Sequence, residues 1–337
     1  MKYIRILVAY ALILSIALGT IDSSSSERIL PCVNESLEIE TLSYSSEPVI
    51  LAADYLLSCQ NEDGGFGPKP KSLSDIKDTC MAITALASTG KNLTALAMDG
   101  TDPLQYLVEN EEELCNSSNA EAQVGRYVIA FASMGQDPRD INGKNYVQIL
   151  KSYFSPDGEV GKENYIWDDA LVVMALAACN ESQSNEVLGA IDHLLRLQTA
   201  KGGFAWNAGS KGEDPDTTGI ILCAIISGGE ETNSDAVKKG LQYISSEQNK
   251  DGGFSSLGSN AATDSWAILA IKAAGQNPEE WKVGSEDPVR HLLGLQKEDG
   301  SVWWKSNSEG MSFEWTANMI LALTGGRMPP VIYGQGG

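Results

Sequence analysis

Acidic residues open most of the apolar stretches of this chain and are the side chains best placed to do chemistry. Asp78 stands before Thr79, Asp168 beside Asp169, Asp216 before Thr217, Asp264 before Ser265 and Glu314 before Trp315, each where an apolar run begins. Carboxylates gathered at one mouth can bind a cation, or act as general acids where burial keeps them protonated. The plainer expectation is capping, in which Asp accepts the free N–H groups of a first helical turn for about 1 kcal/mol each. Asp168 and Asp169 are adjacent, so on a helix they point about 100° apart and need not converge on one bond. Tyr127, Phe131, Trp266 and Trp315 fall in the same apolar runs and are expected to line a cavity, where ring faces attract a cation. Trp206, Trp303 and Trp304 follow turns and are expected to pack between repeats.

Other chemistries leave no trace. There is no Gly-rich phosphate loop, no nucleophile elbow and no Gly-Cys-Gly-Glu-Gln thioester. With 45 acidic and 24 basic side chains, the net charge of −21 repels phosphate backbones, so nucleic acid is not an expected partner.

These residues need elements to hold them, and an internal repeat supplies the elements. Gln60-Asn61-Glu62-Asp63-Gly64-Gly65-Phe66 recurs as Gln198 to Phe204, as Gln248 to Phe254 and as Gln296 to Val302, with a weaker copy at Ser155 to Val160. The last residues of the copies are 94, 44, 50 and 48 apart, and 94 is two periods. The copy due near position 113 is Glu109 to Cys115, stripped of its glycines. Six units result. In each, an amphipathic helix (Val49 to Cys59, Asn185 to Leu197, Ser234 to Glu247) precedes the turn, and a helix apolar nearly all round (Ala170 to Ala177, Gly219 to Ile226, Ala267 to Ala273) follows it. A helix apolar on every side belongs to an interior. Six such pairs close into an all-α (α/α)6 toroid, since an open array would leave two apolar ends exposed.

The targeting and redox features point to export. Lys2 and Arg5 precede an apolar stretch from Ile6 to Leu18, with small residues placed for cleavage near Thr20. We expect a signal segment at 1–19, a linker at 20–46, the toroid at 47–326 and a tail at 327–337, in a secreted or extracytoplasmic cell-surface protein. An uncleaved N-terminal anchor is the only expected membrane contact. Of the six cysteines, Cys80, Cys179 and Cys223 fall in apolar runs, where free thiols and bridges are both open. Asn34, Asn92, Asn116 and Asn180 stand in N-x-S/T triplets that permit glycosylation.

The Gln-x-x-Asp-Gly-Gly-Phe turn after a helix resembles the repeat shared by squalene cyclases and protein prenyltransferase β subunits, and also by secreted cobalamin carriers of the intrinsic-factor type. The resemblance spans roughly residues 47 to 325 and implies the toroid fold, which hosts enzymes and non-enzymes alike. Asp214-Pro215-Asp216-Thr217-Thr218 is similar to the Asp-x-Asp-Asp-Thr motif of squalene–hopene and class II diterpene cyclases. That likeness implies that Asp216 donates a proton to an alkene with Asp214 beside it, although Thr217 replaces the third acid. In those cyclases the cavity lies between two helical domains, and this chain supplies one. Prenyltransferases bind zinc through an Asp-x-Cys pair and a later His. Asp78-Thr79-Cys80 matches the pair, but His193 and His291 sit in outer helices, so no metal or cofactor is expected. After Gly326 the tail is too short for the β-rich domain of the cobalamin carriers. The sequence therefore favours a binding or interaction module for a small or apolar ligand or a surface partner, nearer to the non-catalytic secreted toroids, with a terpene cyclase as the alternative.

Overall fold

The computed structural model describes residues 46–90, 102–115, 119–161, 165–255, 257–308, 310 and 312–334. The expected signal segment, almost all of the linker, Cys32, Asn34, Asn92 and Asn116 lie outside these residues. Among the described residues no helix is long and apolar enough to cross a membrane.

Six helical hairpins follow one another as expected. The outer members are α1 (Glu47–Ser58), α3 (Pro103–Glu109), α6 (Tyr146–Lys151), α8 (Asn185–Leu197), α10 (Asp235–Ser246) and α12 (Pro288–Gly294). The inner members are α2 (Ile76–Ser88), α5 (Ala120–Ser133), α7 (Ile166–Ala178), α9 (Pro215–Ser227), α11 (Ala261–Ala273) and α13 (Phe313–Thr324), with the short α4 (Glu112–Cys115) in the degenerate second unit. Each inner helix packs on the next, and α13 packs back on α2, so the ring is closed. Along α7 and α9 nearly every residue is buried, whereas α8 and α10 bury one face only. This is the division that the apolar runs imply.

The conserved geometry of the turns explains their sequence. The amide of Gln198 donates to the carbonyl of Gly202 in its own turn (2.8 Å) and to that of Ala236 at the start of the next outer helix (2.8 Å). Gln248 does the same to Gly252 and Trp281, and Gln296 to Gly300 and Pro48. The Gln296–Pro48 bond ties the last unit to the first. Gly202 and Gly300 have φ of 92° and 85°, and a Cβ on either would run into a backbone carbonyl of the next outer helix, that of Lys239 or Leu51. Glycine is required there for conformation and for close approach together.

A side-chain anchor joins each of five turns to its inner helix. The N–H of Phe66, Phe204 and Val302 donates to the hydroxyl of Thr79, Thr218 and Thr316 at 2.9, 3.0 and 3.0 Å. In two units a carboxylate takes the hydroxyl's place: Val160 N–H donates to Asp169 (2.7 Å) and Phe254 N–H to Asp264 (2.8 Å). These five residues define one register position on the inner helices. The four described cysteines of known environment, Cys59, Cys80, Cys179 and Cys223, are buried free thiols. Beyond α13 the chain crosses toward α7, where Tyr333 N–H donates to the carbonyl of Ala178 (2.7 Å), and Met328 is buried on the way.

Candidate active site

The inner helices line a cavity of about 170 Å³. Its wall alternates by register. Positions two before and two after the anchor face inward: Trp167 and Leu171 on α7, Asp216 and Ile220 on α9, Ala262 and Trp266 on α11, Glu314 and Asn318 on α13. Thr84, Ile129 and Leu321 lie one turn deeper, with Met328 of the tail beside them. The ring faces of Trp167 and Trp266 meet edge-on at 5.8 Å, and the Trp167 indole N–H donates to the Thr217 hydroxyl (2.9 Å). An open pocket of about 480 Å³ adjoins the cavity and shares Arg126, Trp167 and Leu171 with it.

The acids named from the sequence do not form a ring, because they occupy three different registers. Asp169 and Asp264 are the anchors just described, both buried and turned to the repeat turn. Asp78 and Asp168 stand one position before the anchor, Asp78 beside the neighbouring Asp75 and Asp168 in the open pocket. Asp216 and Glu314 stand two before and face the cavity. At about 100° per residue these positions cannot share one direction. The capping expectation also moves: the N-caps are Asp75, Asp214 and Asn260, which accept from the N–H of Asp78, Thr217 and Thr263. Of the residues proposed as caps, none is one.

Glu314 is held by Lys77 at 2.7 Å. Among the described residues no cation pairs with Asp216. Burial first, then the hydrogen bond and charge of Asp214, push its carboxyl up to about 8. Asp214 itself accepts the N–H of Thr217 at 2.7 Å and so is fixed in place as the cap of α9. A carboxylic acid that stays protonated at neutral pH and faces an apolar, tryptophan-lined cavity can deliver a proton to a weak base.

The aromatic expectations divide. Trp266 and Trp315 line the cavity. Tyr127 and Phe131 do not: their tilted rings pack against each other at 4.7 Å, and Tyr127 packs against Tyr146 of the outer helix α6 at 4.8 Å. Tyr127 is one residue past Arg126, a rotation of about 100° that takes it from the cavity to the outer layer. Trp206 and Trp304 bridge neighbouring repeats as expected, Trp206 stacked on Tyr165 at 5.7 Å and the Trp304 indole N–H donating to Asn260 at 3.1 Å, although each stays about half exposed. Trp167 and Arg126 were not anticipated. Aligning the units on their anchor residues places Trp167 at the position of Asp216. His291 is the partner of Asp264, at 2.6 Å.

Comparison with known proteins gives this geometry its class. Residues 34–170 match the prenyltransferase alpha-alpha toroid domain and residues 107–256 the squalene-hopene cyclase C-terminal domain. The chain is an α/α toroid of the kind these two families share. It is 22% identical over 251 residues to drimenyl diphosphate synthase of Streptomyces showdoensis, across 67% of this chain and 47% of that protein. It thus spans about half the length of that relative. Among solved structures, the type II terpene cyclase MstE from Scytonema superposes with a TM-score of 0.56 at 16% identity, over 82% of this chain and 96% of that one. A glycosidase crystallised with glucose gives the same TM-score at 11% identity, over 82% and 95%.

The sequence relationship runs to drimenyl diphosphate synthase, a terpene cyclase. That overturns the expectation of a non-catalytic binding module. MstE is itself covered almost completely by a single toroid.

Proposed function

We propose that this chain is a class II terpene cyclase in which Asp216 protonates the terminal alkene of an isoprenoid lodged in the toroid. The observation that carries the proposal is the placement of the Asp216 carboxyl in the cavity wall beside Asp214, where burial and the second acid push its pKa up to about 8. The relative's name, drimenyl diphosphate synthase, and the crystallisation of MstE with geranylgeranyl dihydroxybenzoate as substrate support an isoprenoid as the substrate class.

The chemistry follows from the wall. The proton of Asp216 adds to one carbon of the terminal double bond, whose π electrons form the new C–H bond and leave a tertiary cation. An inner double bond closes a ring onto that cation, and loss of a C–H proton restores an alkene, so substrate and product are isomers. The rings of Trp167, Trp266 and Trp315 offer their faces to the migrating charge. Asp216 recovers its proton through the partly exposed Asp214. Glycoside hydrolysis, the chemistry of the glycosidase with this fold, is disfavoured. It requires a pair of free carboxyls, and here the second cavity acid, Glu314, is tied to Lys77.

Incubation of the purified protein with farnesyl and geranylgeranyl diphosphate, followed by dephosphorylation and gas chromatography–mass spectrometry, tests the proposal. A cyclic isomer formed by the unaltered protein and absent with D216N supports it. Acyclic alcohols alone from both substrates would sink it.

A further inference from the structure

Among the described residues, the guanidinium of Arg126 in the wall of this cavity stands without a counter-ion. Arg126 projects from α5 and lines both the cavity and the adjoining pocket. Among the described residues no carboxylate lies within 4 Å of it, and its hydrogen-bond partner is the Gln123 side chain at 3.5 Å, the outer limit for such a bond. Glu314 and Asp168 act on it only through space, and Glu314 is already neutralised by Lys77. Burial holds its pKa below the usual guanidinium range, a sign that the cation is poorly compensated.

An uncompensated cation here works against the chemistry proposed above in two ways. Desolvating a charge without a partner is unfavourable in any cavity. A fixed positive charge also opposes a carbocation forming nearby, and the opposition is strong where water is excluded. A substrate that brings its own anion removes both difficulties at once. The planar guanidinium suits a bidentate oxyanion such as a carboxylate or diphosphate. Its position in the shared wall of the two pockets leaves room for a head group in the larger pocket and an apolar chain running into the cavity.

We propose that Arg126 is the binding residue for an oxyanion head group on the substrate, so that the protein acts on anionic isoprenoids and not on free hydrocarbons or alcohols. This rests on the cyclase reading for the apolar end of the ligand but not for the anion site itself. The Arg126 guanidinium reaches back to Gln123, one turn toward the N-terminal end of α5, and lines the larger pocket there. Asp168 shares the open pocket and repels an anion on that side, so the head group sits on the Arg126 side of the mouth.

The test uses the full chain carrying D216N, which binds without turnover, and calorimetric titration with farnesyl diphosphate, farnesoic acid and farnesol. R126M in this background is expected to weaken at least one charged ligand by about 30-fold or more, the loss typical of a desolvated charge pair. R126K should recover part of it, and farnesol should bind all variants alike. Whichever charged ligand responds names the head group. Equal binding of both charged ligands with and without Arg126, or a parallel loss of farnesol, overturns the proposal. Should R126M fail to fold, R126Q is used, and inorganic pyrophosphate and acetate are tested for a rise in melting temperature that requires Arg126. No such rise with either anion overturns it equally. Cyclised product from the unaltered protein is scored separately. Anion binding through Arg126 with no product retains the anion site and removes the cyclase. Product with no dependence on Arg126 does the reverse.

Discussion

Asp216 on α9 and Asp264 on α11 are carboxyls at the same end of neighbouring inner helices, and their surroundings are opposite. Asp264 is fully buried and receives two donors, the Phe254 N–H at 2.8 Å and the His291 ring nitrogen at 2.6 Å, while His291 lies 3.5 Å from Asp251 on its other side. Asp216 stands two positions earlier in the register, faces the cavity and has another acid as its neighbour. Burial raises both carboxyls, but donors hold Asp264 to about 6 while Asp214 helps drive Asp216 to about 8. The same residue type at the same helix end is thus a structural link when it is given donors, and a proton store when it is given an acid.

The largest effect that separates the two is on turnover. D216N keeps the shape but has no acidic proton to transfer, so cyclised product should fall by about 10³-fold or more, within the range that general acids contribute. The pH profile must agree. The acid works only when protonated, so the rate of the unaltered protein should be level through neutrality and fall as pH rises through about 8. A rate that instead climbs above pH 8 would assign Asp216 a different role.

Next in size is the structural loss at Asp264. D264A removes the acceptor of a buried N–H and the partner of His291 together, and breaking such a buried pair destabilises by about 3–5 kcal/mol. Denaturant unfolding measures this directly. A loss under about 1 kcal/mol would mean that Asp264 does not hold the turn.

The contrast between these two acids was only partly legible in the sequence. The turns, the six-unit count and the division into apolar and amphipathic helices could be read because glycine and glutamine recur at fixed offsets. The register of the acids could not. The anchor follows its turn residue by 13, 9, 14, 10 and 14 positions in the five units, so loop length hides the alignment. Threonine and aspartate also exchange at the anchor, and an Asp-Thr pair can therefore be matched one or two residues out of step. One step is about 100° of rotation, enough to turn an anchor into a cavity residue. Arg126 was hidden for a further reason: its unit lacks the glycine turn, leaving nothing to set its register. The Asp214–Asp216 pair was recognisable because its spacing is local and Pro215 fixes the first turn of α9.

A smaller effect, opposite in sign to that of D264A, is expected from D216N on stability. The Asp216 carboxyl titrates at about 8 in the folded chain and near 3.8 when unfolded, so the folded state binds the proton more tightly. The unaltered protein therefore loses stability as pH rises from about 4 to about 8, and a neutral amide does not. D216N should match the parent at pH 4 and exceed it by about 1–2 kcal/mol at pH 9, the pattern expected when a site is kept for activity at the expense of stability. Equal stability at both pH values would place Asp216 in solvent.

The smallest effect tests whether the anchor needs a charge at all. Thr79, Thr218 and Thr316 fill the position of Asp264 in three other units and accept the same backbone N–H. D264T should keep the bond from Phe254 and lose only the contact with His291, which retains Asp251 nearby. The expected loss is about 1 kcal/mol or less, the value of one ordinary hydrogen bond, against the larger loss in D264A. If D264T proves as unstable as D264A, the Asp264–His291 pair and not the turn bond is what stabilises α11. The two acids would then differ in what their partners do, and not merely in which way they face.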